Sequence, residues 1–126
     1  MKLYHGSNDH VILEKYVFFS TSERFSKDYG ETRIYDIKIK KLFDSTNKEN
    51  IKNLLQKVGS LYDPYDEMTF NTADEFLCSY TAYADTWEVL EPHLDVIKTM
   101  GFDTVLLFEG GIENYVTLNN NFKQLN

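Results

Sequence analysis

The sequence predicts an α+β domain, with strands near both ends of the chain and helices between them. Three observations carry this. Short apolar runs, Leu3 to His5 and Val17 to Phe19, stand close to the N-terminus. Two stripes at helical spacing come next, Ile51/Leu54/Leu55/Val58 and Trp87/Leu90/Leu94/Ile97. Near the C-terminus an apolar run from Phe102 to Phe108 meets Gly110-Gly111 and then Tyr115 to Leu118, the pattern of a tight hairpin.

Taken in order, residues 2–5 read as a strand, and residues 16–20, rich in Val and Phe, as a second. Ser22 is a good N-cap for a short helix to about Asp28, with Gly30 placed to end it. From Arg33 to Lys40 the pattern alternates. Tyr35, Ile37 and Ile39 share one face and Asp36, Lys38 and Lys40 the other, as in a half-buried strand. Ser45-Thr46-Asn47 precedes the first helical stripe, and Gly59 stops it. Residues 60–71 contain Asp63-Pro64-Tyr65-Asp66 and read as a loop. Thr72-Ala73-Asp74-Glu75 is a capping-box pattern, so a helix is expected through about Ala82. The second stripe contains Pro92, which suits the first turn of a new helix, and ends at Gly101.

The 126 residues fit one domain, 1–126, and a hydrophobic fraction of 42% is enough for a core. Aromatics reach 15%, so some tyrosines are expected to face a pocket or a partner. A net charge of −7 argues against a nucleic-acid backbone as the main partner. Cys78 is the only cysteine, which excludes an intrachain disulfide and suits a reducing cytosol. No apolar stretch is long enough to span a membrane, and no charged segment leads a signal-like run; a soluble cytoplasmic protein is expected. No metal cluster or phosphate loop is visible.

The chemistry concentrates near the front. His5-Gly6-Ser7 ends the first apolar run, and Ser20-Thr21-Ser22 ends the second and opens a helix. The imidazole can donate or accept, glycine admits close approach to the backbone, and hydroxyls and free amides at a helix start hold polar ligands. Together with Tyr29-Gly30, the segments Tyr4-His5-Gly6 and Phe18-Phe19-Ser20-Thr21-Ser22 resemble the first two motifs of the ADP-ribosyltransferase family. There a Tyr-His-Gly or Phe-His-Gly strand is followed by Phe-x-Ser-Thr-Ser and a helix ending in Tyr-Gly or Tyr-Ala.

At the other end the candidates are Glu109 and Glu113. A two-residue Gly110-Gly111 turn pairs Glu109 with Ile112 and Leu107 with Asn114. Glu109 then faces with Asn114, and Glu113 faces the other way with Phe108. Many family members, diphtheria-toxin-like and poly(ADP-ribose) polymerase-like enzymes among them, carry Glu directly before Tyr-(Val/Ile) on this strand. Here Asn114 takes that place and Glu113 stands one residue early. A phage-encoded anti-CRISPR group of the family instead has an acid in the turn after the preceding strand. Trp87-Glu88, Gly101-Phe102 and Glu109-Gly110-Gly111 run through its pattern. The resemblance covers the two ends of the chain and little of the middle.

The resemblance implies two small antiparallel sheets around an NAD cleft with helices outside. It implies NAD as co-substrate and no metal. His5 would hydrogen-bond the adenosine ribose, Gly6 would hold the nicotinamide amide, and Ser20 would support the ribose. Ser7 and Thr21 would complete the binding set, and Tyr29 would stack on nicotinamide. Glu109 would stabilise the oxocarbenium-like sugar, with Glu113 as runner-up. The partner would be a protein acceptor, such as a host CRISPR effector subunit, with the enzyme a phage-encoded monomer in the host cytoplasm. The alternatives are an inhibitor that binds its target through an acidic surface, and an NAD glycohydrolase.

Overall fold

A computed structural model describes residues 1–7 and 15–125. The chain runs β1 (Lys2–Ser7), β2 (Val17–Ser20), α1 (Glu23–Lys27), β3 (Glu31–Ile37), β4 (Leu42–Asp44), α2 (Lys48–Val58), β5 (Leu61–Asp63) and β6 (Met68–Phe70). It continues with α3 (Ala73–Leu77), α4 (Thr81–Ala84), α5 (Trp87–Leu90), a 3₁₀ turn (Glu91–His93), α6 (Leu94–Thr99), β7 (Thr104–Glu109), β8 (Ile112–Thr117) and β9 (Phe122–Gln124). The class is α+β, as the sequence implies.

The sheet arrangement differs from two small antiparallel sheets. A seven-stranded mixed sheet runs β4-β7-β8-β2-β1-β3-β9, and β5-β6 is a separate two-stranded hairpin. Its mixed character comes from β4, which lies parallel to β7 with Phe43 opposite Val105. The large sheet is nonetheless nearly divided. Strand β1 pairs with β3 along its whole length, and β2 pairs with β8 throughout, but β1 and β2 share only the pair Tyr4↔Ser20. At this seam His5 Nδ1 lies 2.7 Å from the Phe18 carbonyl oxygen. A carbonyl only accepts, so Nδ1 carries the proton and donates. The side chain bridges the strands where their ladder ends.

Alternation along the strands produces two cores. Leu3, Val17, Phe19, Tyr35, Ile37 and Tyr115 pack on one face. Val105, Leu107, Val116 and Leu118 point to the other, where Ile51, Leu54, Phe76, Leu90 and Ile97 of the helices cover them.

The caps at Ser22 and Thr72 agree with the sequence, and of Ser45-Thr46-Asn47 it is Asn47 that caps α2. Ser22 Oγ accepts from Phe25 N at 3.1 Å, Asn47 Oδ1 from Asn50 N at 3.0 Å, and Thr72 Oγ1 from Glu75 N at 3.1 Å. The expected helix 73–82 breaks after Leu77. The Ser79 hydroxyl donates to the Phe76 carbonyl at 2.6 Å, taking an oxygen the helix would otherwise use. The expected loop 60–71 contains the β5–β6 hairpin, tied down by Asp63, which accepts from Tyr65 N at 2.9 Å and from the Thr81 hydroxyl at 2.6 Å. Strand β1 continues through Gly6 and Ser7, and the third strand spans Glu31–Ile37, so it starts earlier than Arg33 and stops before Ile39. Pro92 lies in a 3₁₀ turn that leads into α6.

The C-terminal hairpin has the expected register, Leu107↔Asn114, Phe108↔Glu113 and Glu109↔Ile112. Gly110 and Gly111 have φ of 56° and 76°, positive at both central positions as a type I′ turn demands.

Candidate functional site

A cleft of about 230 Å³ opens where β1, β2 and the β7–β8 hairpin meet α1 and α5. Five of the residues singled out in the sequence line it: His5, Gly6, Ser20, Tyr29 and Glu109. They come from both ends of the chain, and the sheet order brings them together by placing β2 between β1 and β8. Ser7, Thr21 and Glu113 do not line it. Thr21 turns to β8, and its hydroxyl donates to the Glu113 carbonyl at 3.0 Å. The Glu113 side chain is exposed, on the strand face opposite Asn114.

Glu109 and Tyr29 meet at the mouth. The Tyr29 hydroxyl donates to Glu109 Oε1 at 3.2 Å. Burial pushes the Glu109 carboxyl above the ordinary carboxylate range; the Tyr29 hydrogen bond opposes the rise, and the charges of Asp85 and Glu88 add to it. Tyr29 is raised in turn, first by burial and then by the charge of Glu109 and their hydrogen bond, so it remains a donor. The Tyr29 side chain is 55% exposed, which leaves ring surface for a stacking ligand. Asp85, next to this pair, is raised by burial and by Glu88 and Asp63.

Two buried polar atoms of lining residues, His5 Nε2 and Asn114 Oδ1, have no hydrogen-bond partner among the described residues. With Nδ1 donating to Phe18, Nε2 of a neutral His5 is an acceptor. Asn114 is 1% exposed and lies opposite Ser20 on β2. Unpartnered buried groups cost about 1–3 kcal/mol each, and a ligand that donates to them removes that cost. Ser20 is otherwise engaged, its Oγ accepting from Ser22 N at 3.1 Å.

Gly6 has a structural requirement of its own. A Cβ there would lie 1.7 Å from the Ser26 carbonyl oxygen, so the glycine admits the backbone of α1 to the strand. The helix, rather than a ligand, makes this close approach.

Aromatic rings form most of the remaining wall. Phe18 and Trp87 meet edge-to-face with centroids 4.5 Å apart. Tyr16 is held by a hydroxyl hydrogen bond to Asp95, which also pairs with Lys15 at 2.9 Å. Tyr4, Phe19 and Phe25 complete the aromatic part of the wall. The sequence places Trp87 in a helical stripe and in the C-terminal resemblance, and gives Phe18, Tyr4, Tyr16 and Phe25 no site role of their own. The alternation of Tyr4 and Gly6 on β1 is the signal that places them on one face. No lysine or arginine is in the lining among the described residues. Among the same residues no cluster of His, Cys, Asp and Glu could hold a metal ion, and no helix is long and apolar enough to cross a membrane.

No protein-family model matches the chain, and no curated protein matches its sequence. A solved structure described as the crystal structure of an anti-CRISPR protein is similar over 99% of this chain and 95% of its own, with a TM-score of 0.59 and 17% sequence identity. The likeness extends to the whole fold.

Proposed function

We propose that this protein is an NAD-using mono-ADP-ribosyltransferase that modifies a protein side chain, and that it serves a phage by inactivating a host CRISPR complex. The observation that carries the catalytic reading is the convergence of His5, Ser20, Tyr29 and Glu109 in one cleft, from segments more than a hundred positions apart at the extremes. The observation that carries the biological reading is the end-to-end likeness in fold to an anti-CRISPR protein.

The cleft suits one end of NAD. At about 230 Å³ it is smaller than the roughly 300–1,000 Å³ typical of drug-sized ligand sites, so a dinucleotide would extend beyond it. His5 Nε2 and Asn114 Oδ1 are acceptors for ribose hydroxyls or a carboxamide N–H. Tyr29 offers a ring face at the mouth. NAD supplies an ADP-ribosyl group on a glycosidic bond whose cleavage puts positive charge on the ribose. Glu109, ionised, opposes that charge and accepts a hydrogen bond from the 2′-hydroxyl; Tyr29 holds its carboxylate in place.

A second reading has its own support. Asn114 stands where many family enzymes carry glutamate, and no cation in the lining, among the described residues, neutralises the dinucleotide phosphates. On that reading the protein keeps the fold and inhibits by binding alone. Calorimetry with NAD separates the two. A saturable interaction, followed by transfer of label from adenylate-labelled NAD to a purified CRISPR effector subunit, supports the transferase. No binding at millimolar NAD overturns it in favour of the inhibitor, and label-free release of nicotinamide identifies a glycohydrolase.

A further inference from the structure

Next to the turn that follows Glu109, the surface carries strongly exposed aromatic rings. Tyr80 is 85% exposed, Tyr65 69% and Tyr83 55%. Isolated exposed rings need no explanation, but these adjoin one another's surroundings. Tyr80, Tyr83, Ala84 and Asp85 form a groove with Gly110 and Gly111, the turn that directly succeeds Glu109. Tyr65 is raised first by a hydrogen bond to Glu88 and by its charge, and then by burial and by the charges of Asp85 and Glu109, which places it beside the same acidic cluster.

The groove is firmly built. Gly111 N donates to the Ala84 carbonyl at 2.8 Å, joining the hairpin tip to α4. The Thr81 hydroxyl donates to the buried carboxylate of Asp63 at 2.6 Å, anchoring the same helix from below. The rings are thus presented on a fixed base, which lowers the entropy cost of binding.

We propose that Tyr80, Tyr83, Asp85 and the Gly110–Gly111 turn form the docking surface for the acceptor protein, and that this surface recognises arginine and lysine side chains on a folded partner. The choice of occupant rests on charge. Asp85, Glu88 and Glu109 supply negative charge, and neither the groove nor the cleft has a lysine or arginine in its lining among the described residues. A phosphate-rich partner would be repelled. A guanidinium can lie on a tyrosine face and pair with a carboxylate at once, and tyrosine is enriched in interfaces for this kind of contact. The position sets the consequence. A partner seated here has its surface beside Glu109, where the transferase reading places the reacting sugar. The docking surface rests on that reading only for the transfer step after a partner has bound.

The test uses fluorescent peptides of defined charge, one alternating Arg and Gly and one alternating Glu and Gly, with NAD binding measured in parallel. The Arg-Gly peptide is expected to bind, and to bind more weakly as salt rises. Replacing Tyr80 and Tyr83 together by alanine is expected to weaken it by roughly tenfold or more, as loss of paired cation–π contacts does. Tyr80→Phe with Tyr83→Phe should retain most of the affinity, because the ring is kept. Tyr62→Ala, at an exposed tyrosine outside the groove, should change nothing. Tyr80→Lys, at a position whose side chain is in solvent, should weaken the peptide by charge even if the double alanine variant folds poorly. NAD affinity should be the same in all of these variants. Equal binding of the Glu-Gly peptide, or wild-type peptide affinity in both the double alanine and Tyr80→Lys variants, overturns the docking surface. Loss of NAD affinity in folded variants also overturns it, since the groove would then belong to the cofactor site. Absence of NAD binding in the wild type, with the peptide results as expected, would remove the transferase reading and leave the docking surface standing.

Discussion

Replacing Gly6 by alanine drives a carbon atom into the backbone of α1. The new Cβ would stand 1.7 Å from the Ser26 carbonyl oxygen and 2.7 Å from its carbonyl carbon. Contacts of this kind are essentially never closer than 3.0 Å, so α1 and β1 must separate by about 1.3 Å. The obstacle is backbone, and no side-chain rotation relieves it. The shift falls on α1, because β1 is held by β3 along its whole length while α1 spans only Glu23–Lys27. Tyr29 comes just after it. The Tyr29–Glu109 hydrogen bond is already 3.2 Å long, and such bonds are lost beyond roughly 3.5 Å.

Two effects are therefore expected together. Overpacking costs about 1–3 kcal/mol, which for a domain of this size lowers Tm by on the order of 5–10 °C. Displacing Tyr29 from Glu109 misplaces the site by about an ångström, enough to reduce transfer by roughly 10²-fold. Thermal unfolding followed by circular dichroism gives the first, and transfer from labelled NAD gives the second. Gly6→Ala protein with the Tm and transfer rate of the wild type would refute the packing argument. A lower Tm with full transfer would keep the packing and remove Tyr29 from the mechanism.

Glu109→Gln keeps an acceptor for Tyr29 and removes the charge, so transfer should fall by a factor on the order of 10²–10³ while NAD still binds. Glu113→Gln should have little effect, because that side chain is exposed on the other strand face; the reverse ranking in the transfer assay would exclude Glu109 as the catalytic acid. The raised Glu109 carboxyl places the acid limb of the pH–rate profile above the ordinary carboxylate range, and Glu109→Gln should abolish that limb. The stability sign is opposite. A carboxyl with a raised folded-state value binds its proton more tightly in the native state, so stability declines as pH rises from the ordinary carboxylate value through the raised one. At neutral pH Glu109→Gln should therefore hold or raise Tm, and a clear drop would contradict the burial cause. His5→Ala should raise KM for NAD more than it lowers kcat, and should cost about 1–3 kcal/mol in denaturant unfolding because the Phe18 carbonyl loses its partner. Unchanged NAD affinity with lost turnover would contradict that role.

The sequence makes legible what is decided locally. Gly110-Gly111 needs positive φ, and alternation on each side then fixes which acid faces Asn114. Ser22, Asn47 and Thr72 cap helices because each offers a short acceptor just before a periodic run. Elements decided by distant partners stay hidden. Strand β4 is three residues long and exists because β7, some sixty positions later, pairs with it in parallel. Strand β9 depends in the same way on β3. Gly6 shows the limit within the site. Its neighbours suggest a ligand approach, whereas the atom that excludes a side chain belongs to Ser26, and only the packing of α1 places it there.

The seam between β1 and β2 ties the fold to the site. Adjacent strands lie only about 4.8 Å apart, so a fully laddered sheet leaves no room for a ligand between them. Here the two strands share one pair, Tyr4↔Ser20, and then part. The opening exposes the edges of both strands, which would leave backbone groups unpaired. His5 meets part of that need by donating to the Phe18 carbonyl, and in doing so fixes its own ring with Nε2 as the remaining acceptor. Ring contacts of His5 with Phe19 and Tyr35 steady the imidazole, with centroids 5.5 Å and 6.1 Å away. One residue thus ties the strands together where they part and leaves a buried acceptor, Nε2, on a residue that lines the cleft. On the transferase reading the two roles separate: a replacement that restores the strand contact without an acceptor is expected to keep the fold and to weaken NAD binding.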